Sequence, residues 1–149
     1  MAFGYRYTLE RQDNGWWLVR FSGVPEALTE GETESEARGL AVDCVMAALE
    51  GYMKAGRPLP RKGAAFTGPN RAVLPSLATA KLAVYERMRE LGWSKVKLAR
   101  ELGVHENAVR RLLSLRHGSQ MWVIDAALTR MGAELAIDLP NVRAGKRAA

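Results

Sequence analysis

The chain has 149 residues, of which 48% are hydrophobic, and a single cysteine, Cys44, so it can form one domain or two small ones and no internal disulfide. No apolar run reaches membrane-spanning length and the first residues lack a signal-peptide layout, so neither a membrane anchor nor export is expected and a cytoplasmic protein is. The net charge of +6 is split: residues 1–60 hold six Lys/Arg against nine Asp/Glu, a net of −3, and residues 61–149 hold sixteen against seven, a net of +9.

Residues 2–10 alternate, with Phe3, Tyr5, Tyr7 and Leu9 on one face, which predicts a strand with one wet side. Asn14-Gly15 then predicts a hairpin turn in which both residues take positive φ. Trp17, Val19 and Phe21 form the inner face of the returning strand, and a third short strand is expected around 27–30. Trp16 and Leu18 fall on the opposite, open face, where an exposed aromatic suggests a binding surface or a cover for the hairpin. Thr33 and Glu36 make a capping box that opens a helix to about Ala55. Its inner stripe is predicted as Ala37, Leu40, Ala41, Cys44, Val45, Ala48, Leu49, Tyr52 and Met53, with Cys44 a buried, inert thiol. Glu26, Glu30, Glu32, Glu34 and Glu36 flank that helix start, where negative charge suits the macrodipole.

Residues 61–75 read as a Gly/Pro-rich basic linker, within which Arg71–Leu74 can add a strand to the first sheet. A helix is expected from Ser76 or Thr79 to Leu91, with Ala80, Ala83, Val84, Met88 and Leu91 inside. Another should run from Gln120 to Met131, with Trp122, Val123, Ala126, Ala127 and Met131 as its apolar positions. Glu134–Leu139 alternates like a strand, which cannot stand alone after helices and must pair with a sheet or with its copy in a second chain. The last residues, 141–149, form a loose basic tail in which Lys146 and Arg147 are placed to touch phosphate.

Between these helices lies a helix-turn-helix pattern over residues 93–113. Ser94 can cap the first helix, Ala99 is small where the helices cross, and Gly103 stands where the turn needs positive φ. Leu98, Leu102, Val104, Val109 and Leu112 supply the apolar spacing. His105 occupies the cap position before the second helix, where Ser or Thr is commoner. His105, Glu106, Asn107, Arg110 and Arg111 remain for base edges, since Arg can grip guanine and Asn adenine by paired hydrogen bonds. Ser94, Lys95, Lys97 and Arg100 on the first helix are placed for phosphates. The +9 charge of this part agrees, because cationic surfaces bind nucleic acid by releasing counterions. The −3 part would be repelled by the same ligand and suits a protein partner, above all a basic one. A helical hairpin whose charges merely face water is the bland alternative.

Nothing nominates an enzyme or a cofactor. His105 and His117 have no companion ligands, no phosphate-binding glycine loop is present, and the strand centres carry apolar residues where a two-metal nuclease needs carboxylates.

The run from Val19 through Val24-Pro25, Leu28–Thr33 and Glu36-Ala37, followed by Pro58-Leu59-Pro60 and by Leu74–Lys81 leading into Tyr85, resembles the HicB antitoxin family over about residues 4–139. Ser22-Gly23 stands where many members carry Pro-Asp. The resemblance implies an α+β protein: a small antiparallel sheet covered by a helix, as a degenerate RNase-H-like fold, in residues 1–60, and an all-α helix-turn-helix domain with a C-terminal strand in residues 76–140. It implies that the first domain occludes a small basic HicA-type toxin, an mRNA-cleaving ribonuclease, with Trp16, Leu18, Arg20, Glu30 and Glu32 as candidate contacts. The second would bind operator DNA as a homodimer or homotetramer and repress its own operon. A plain transcription regulator whose first domain senses a ligand or dimerises, and a nuclease of RNase-H type, are the competing readings.

Overall fold

The computed structural model describes residues 4–60 and 68–137, and these form four strands and five helices. Strands β1 (Gly4–Arg11), β2 (Trp17–Phe21), β3 (Leu28–Gly31) and β4 (Arg71–Val73) make one sheet in the order β3-β2-β1-β4, with every neighbouring pair antiparallel. The hairpin between β1 and β2 turns through Asp13, Asn14 and Gly15, one residue more than a two-residue loop. Gly15 alone takes positive φ (87°), its N–H donates to the Gln12 carbonyl, and the Asn14 side chain accepts from the Trp16 N–H at 3.0 Å. Asn14 therefore does not join it in the left-handed region, and the turn is the three-residue kind that ends on a left-handed glycine.

Tyr5, Tyr7, Val19, Phe21 and Ala72 point to one face and are buried. Tyr7 sits opposite Phe21, with ring centroids 5.5 Å apart. Helix α1 (Glu34–Lys54) covers that face. Its cap is the expected Thr33, whose hydroxyl accepts from the Glu36 N–H at 3.1 Å. The return bond is displaced by one residue, because the Glu36 carboxylate accepts from the N–H of Glu32. The helix approaches β3 so closely that a Cβ on Gly31 would lie 2.7 Å from the Ala37 nitrogen. The buried stripe is Ala37, Ala41, Val45, Met46, Leu49, Tyr52 and Met53. Leu40 lies outside it and is exposed, and Cys44 and Ala48 are only half-buried, since the narrow sheet ends at β3 before it can cover that flank. Burial still pushes the Cys44 thiol above its ordinary pKa, which keeps it a poor nucleophile.

Strand β4 returns the chain to β1 before the second unit begins, so the sheet is completed from residues beyond the first sixty. Helix α2 (Ser76–Leu91) follows, and then α3 (Lys95–Leu102), α4 (Glu106–Leu112) and α5 (Met121–Arg130). Ala78, Ala80, Leu82, Val84, Tyr85 and Met88 of α2 enter the core together with Leu98, Val109, Leu112, Ile124, Ala127, Leu128 and Met131. Of the apolar residues expected inside, Leu91, Val104 and Trp122 are exposed, and Ala83, Leu102, Val123 and Ala126 are half-buried. Leu91 and Val104 flank the glycines that reverse the chain, and Trp122, on the first turn of α5, is 67% exposed with its indole N–H donating to the Gln120 side chain.

The two units are fastened together. The Tyr85 hydroxyl donates to the Arg57 carbonyl at 2.7 Å, and the Arg89 guanidinium donates to the Gly56 carbonyl. After α5, residues 134–137 make no strand pairing with the other described residues, and Ile137 is 80% exposed. A strand needs a neighbour, and the described residues of one copy offer none here. Residues 138–139 of that expected strand, residues 61–67 of the linker and the tail 141–149 lie outside the described residues.

Candidate nucleic-acid and partner surfaces

The pair α3–α4 is built from its ends inward. Ser94 caps α3, its hydroxyl accepting from the Lys97 N–H at 3.1 Å. Gly103 ends it at φ 66°, the Gly103 N–H donating to Arg100 and the Val104 N–H to Ala99. Those two bonds close a Schellman turn, which needs a left-handed residue that glycine alone adopts without strain. His105 caps α4 and its ring Nδ1 accepts from the Asn107 N–H at a long 3.5 Å. The cap thus requires an unprotonated Nδ1, and it is weaker than a hydroxyl would be.

Val109 and Leu112 bury one side of α4, which leaves Asn107, Arg110 and Arg111 on the other, three and four residues apart and exposed. Arg110 is held by Glu106 at 2.9 Å in a surface ion pair. That pair sets the guanidinium's direction at little cost to release it. On α3, Lys97 lies over the Trp93 ring at 4.7 Å and 3.4 Å from Glu101, while Lys95 is half-buried and Arg100 exposed. The structure thus gathers Ser94, Lys95, Lys97, His105, Glu106, Asn107, Arg110 and Arg111 on two consecutive helices, with the polar face of α4 outward.

The end of α4 holds a residue the sequence pattern does not reveal. Helices α1, α2, α3 and α5 each finish beside a glycine at positive φ, but α4 finishes at Leu113 in ordinary helical geometry. Lys81, which is wholly buried on α2, stands there instead: it donates to the carbonyl of Arg111 in the last turn of α4 at 3.1 Å, and to those of Ser114 at 2.7 Å and His117 at 2.6 Å in the loop that follows. The three protons of an ammonium match three acceptors, and the charge lies at the negative end of the helix dipole. Burial lowers the Lys81 pKa, and Glu50 on α1 opposes that shift. Glu50 itself accepts from the Ser114 hydroxyl at 3.1 Å and the Leu115 N–H at 3.3 Å. A lysine amid apolar residues reads as an interruption of the stripe, and only the fold reveals its partners.

On the sheet, Leu18 and Arg20 point to the face that α1 leaves open, and Trp16 keeps their parity one residue before β2. Register places Glu30 opposite Leu18 and Leu28 opposite Arg20. Trp16 is 36% and Leu28 55% exposed. Glu32 does not join this group: it lies between β3 and the α1 cap, tied by its N–H to Glu36. Leu28 and Glu10, which faces Leu18 from β1, belong to the open face although neither was singled out beforehand. The acidic character is concentrated at the β3 edge. There Glu26 and Asp43 line a cleft of about 500 Å³ with Leu28, Leu40 and Cys44, and Arg116 of the helical unit adds one cation to it. The Tyr52 hydroxyl, donating to Glu26 at 2.6 Å, and then Arg57 hold the Glu26 carboxyl below the ordinary carboxylate pKa.

Among the described residues no helix is long and apolar enough to cross a membrane, and no three His, Cys, Asp or Glu converge as a metal site.

Comparison with known proteins gives this arrangement a family. Residues 4–83 match the family described as HicB-like antitoxin of bacterial toxin-antitoxin systems. The chain is 32% identical over 141 residues to Antitoxin HicB 2 of Photorhabdus laumondii, covering 92% of this chain and 98% of that protein. It is 32% identical to Antitoxin HicB of Pseudomonas fluorescens, covering 93% and 95%, and 26% identical to Antitoxin HicB of Escherichia coli K12, covering 89% and 96%. The family match spans the sheet, α1 and the start of α2, and the curated relatives extend across the remaining helices. The chain belongs to the HicB-like antitoxin family of bacterial toxin-antitoxin systems.

Proposed function

We propose that this protein neutralises a small basic HicA-type toxin through its sheet unit and represses its own operon through α4. The observation that supports the second half is the outward face of α4, where Asn107, Arg110 and Arg111 stand clear on a helix whose other side is locked into the core. Those side chains carry the donors and acceptors that read adenine and guanine edges in the major groove. Lys95, Lys97 and Arg100 on α3 supply charge for the flanking phosphates. The sheet unit, net negative over residues 1–60, offers the cationic toxin Trp16, Leu18, Arg20 and Glu30 on the open face, and the carboxylates of Glu26 and Asp43 at the β3 edge.

The segment 134–137, unpaired among the described residues, supports a homodimer in which two copies complete a strand pair. Such a dimer presents two α4 helices to half-sites about one DNA turn, ~34 Å, apart. The homotetramer follows if a second pair of sheet units associates.

One experiment in cells addresses both halves. Each reading frame flanking this gene is expressed from an inducible promoter, with and without this chain, in a strain carrying a reporter driven by the upstream promoter. Growth arrest relieved by this chain, together with a silenced reporter, is the expected result. Relief without silencing removes the repressor role, and silencing without a toxic neighbour leaves a plain regulator.

A further inference from the structure

Lys54, Lys95 and Arg110 come from three different helices, α1, α3 and α4, and line one cleft of about 250 Å³ where the sheet unit meets the helical unit. Lys54 is the last residue of α1 and exposed, Lys95 the first of α3, and Arg110 lies in the last turn of α4. The floor holds one carboxylate, Glu50, but it is already engaged by Ser114 and Leu115 and is compensated by the buried Lys81. Glu106 holds Arg110 only through a surface pair, which a stronger anion displaces at small cost. The cleft therefore presents three cations and no free anion among its lining residues.

We propose that this cleft binds a phosphate group, and that the group belongs to the DNA backbone. Arg110 sits on α4 among the base-reading candidates and Lys95 on α3 among the phosphate candidates, so a duplex seated on α4 would pass the mouth of the cleft. The third, Lys54, comes from the antitoxin's sheet unit. The sheet unit is then part of the DNA grip, positioned by the Glu50 latch and the Tyr85–Arg57 bond. This inference rests on the operator-binding reading above.

The test uses the full chain and fluorescence anisotropy with two duplexes, the upstream promoter and an unrelated sequence, at about 50 and about 200 mM salt. Lys54→Ala is expected to bind both duplexes more weakly by the same factor. Losing one phosphate contact lowers the salt slope by about one, so the gap to wild type should narrow by about threefold across that salt range. Lys54→Arg should restore both affinity and slope, and an unchanged melting temperature for Lys54→Ala shows that the fold is intact. Equal affinity and slope for wild type and Lys54→Ala, with wild type bound to its promoter, overturns the inference and leaves the repressor reading standing. A wild type that binds neither duplex at low salt overturns both. Calorimetric binding of sodium pyrophosphate to wild type but not to Lys54→Ala, with DNA affinity unchanged, assigns the cleft to a free phosphate compound and overturns the DNA assignment.

Discussion

The Lys81 ammonium on α2 meets the Ser114 carbonyl at 2.7 Å, and the Ser114 hydroxyl meets Glu50 on α1 at 3.1 Å. The loop after α4 is thereby held between a buried cation of its own unit and a carboxylate of the sheet unit. The end of α4 is thus set from two sides, by α2 and by α1.

Lys81→Met keeps the length of the side chain and removes its three protons. One carbonyl in the last turn of α4 and two in the loop after it then lose their partner in the interior, and Glu50 loses its compensating charge. We expect a loss of about 3–5 kcal/mol, in the range seen when one member of a buried polar pair is removed. Chemical denaturation of the variant reads it directly, and a loss below 1 kcal/mol would show that water reaches those carbonyls.

Gly31→Ala places a methyl group 2.7 Å from the Ala37 backbone nitrogen, where no flexible side chain can move aside. Helix α1 must shift from β3, at about 1–3 kcal/mol, the usual cost of overpacking. A urea midpoint equal to wild type would mean that the helix seats more loosely than the structure has it.

Glu26 has a lowered pKa, first through its hydrogen bond from Tyr52. A carboxylate held below its unfolded value adds stability that is present above the ordinary carboxylate range and lost as pH falls through the lowered value. Glu26→Gln should therefore be less stable than wild type at neutral pH, with the difference fading on acidification. Thermal melts across pH 3–8 check this, and a gap that stays constant with pH contradicts it.

Arg110→Ala should cost ~1–3 kcal/mol in operator affinity and relax one base preference, if the side chain grips a guanine as well as a phosphate. Competition with operator variants measures it. The same loss on every sequence would restrict Arg110 to the phosphate role it has in the cleft.

Trp16→Ala should weaken toxin binding and leave operator affinity unchanged, because Trp16 belongs to the open sheet face and α4 to the other unit. Calorimetry against the purified toxin reads the first and anisotropy the second. Undiminished toxin affinity would move the contact to the β3 edge around Glu26 and Leu28.

The elements with a simple period or a strong punctuation mark were legible in advance: the β1–β2 alternation, the Thr33 and Ser94 caps, the Gly92 and Gly103 stops and the return of β4 to the sheet. Exposure was harder. Leu40, Val104 and Trp122 fit a helical or turn pattern yet lie at flanks that no other element covers, and the pattern carries no information about where a neighbouring layer ends. Lys81, Glu50 and Lys54 were invisible for a related reason. Their partners lie about thirty to sixty residues away, and each reads as an ordinary charged residue until α2 and α1 are packed against the end of α4. The candidate DNA face needed only the local spacing within α4, whereas the sheet-face set depended on register, which separates Glu32 from the other four.

The most direct measurement is a pull-down of this chain expressed from its native locus with both flanking genes. The account predicts a stoichiometric small basic protein that arrests growth when expressed alone. The chain coming down by itself, while still binding its promoter, would contradict it and turn attention to a small-molecule ligand on the sheet unit.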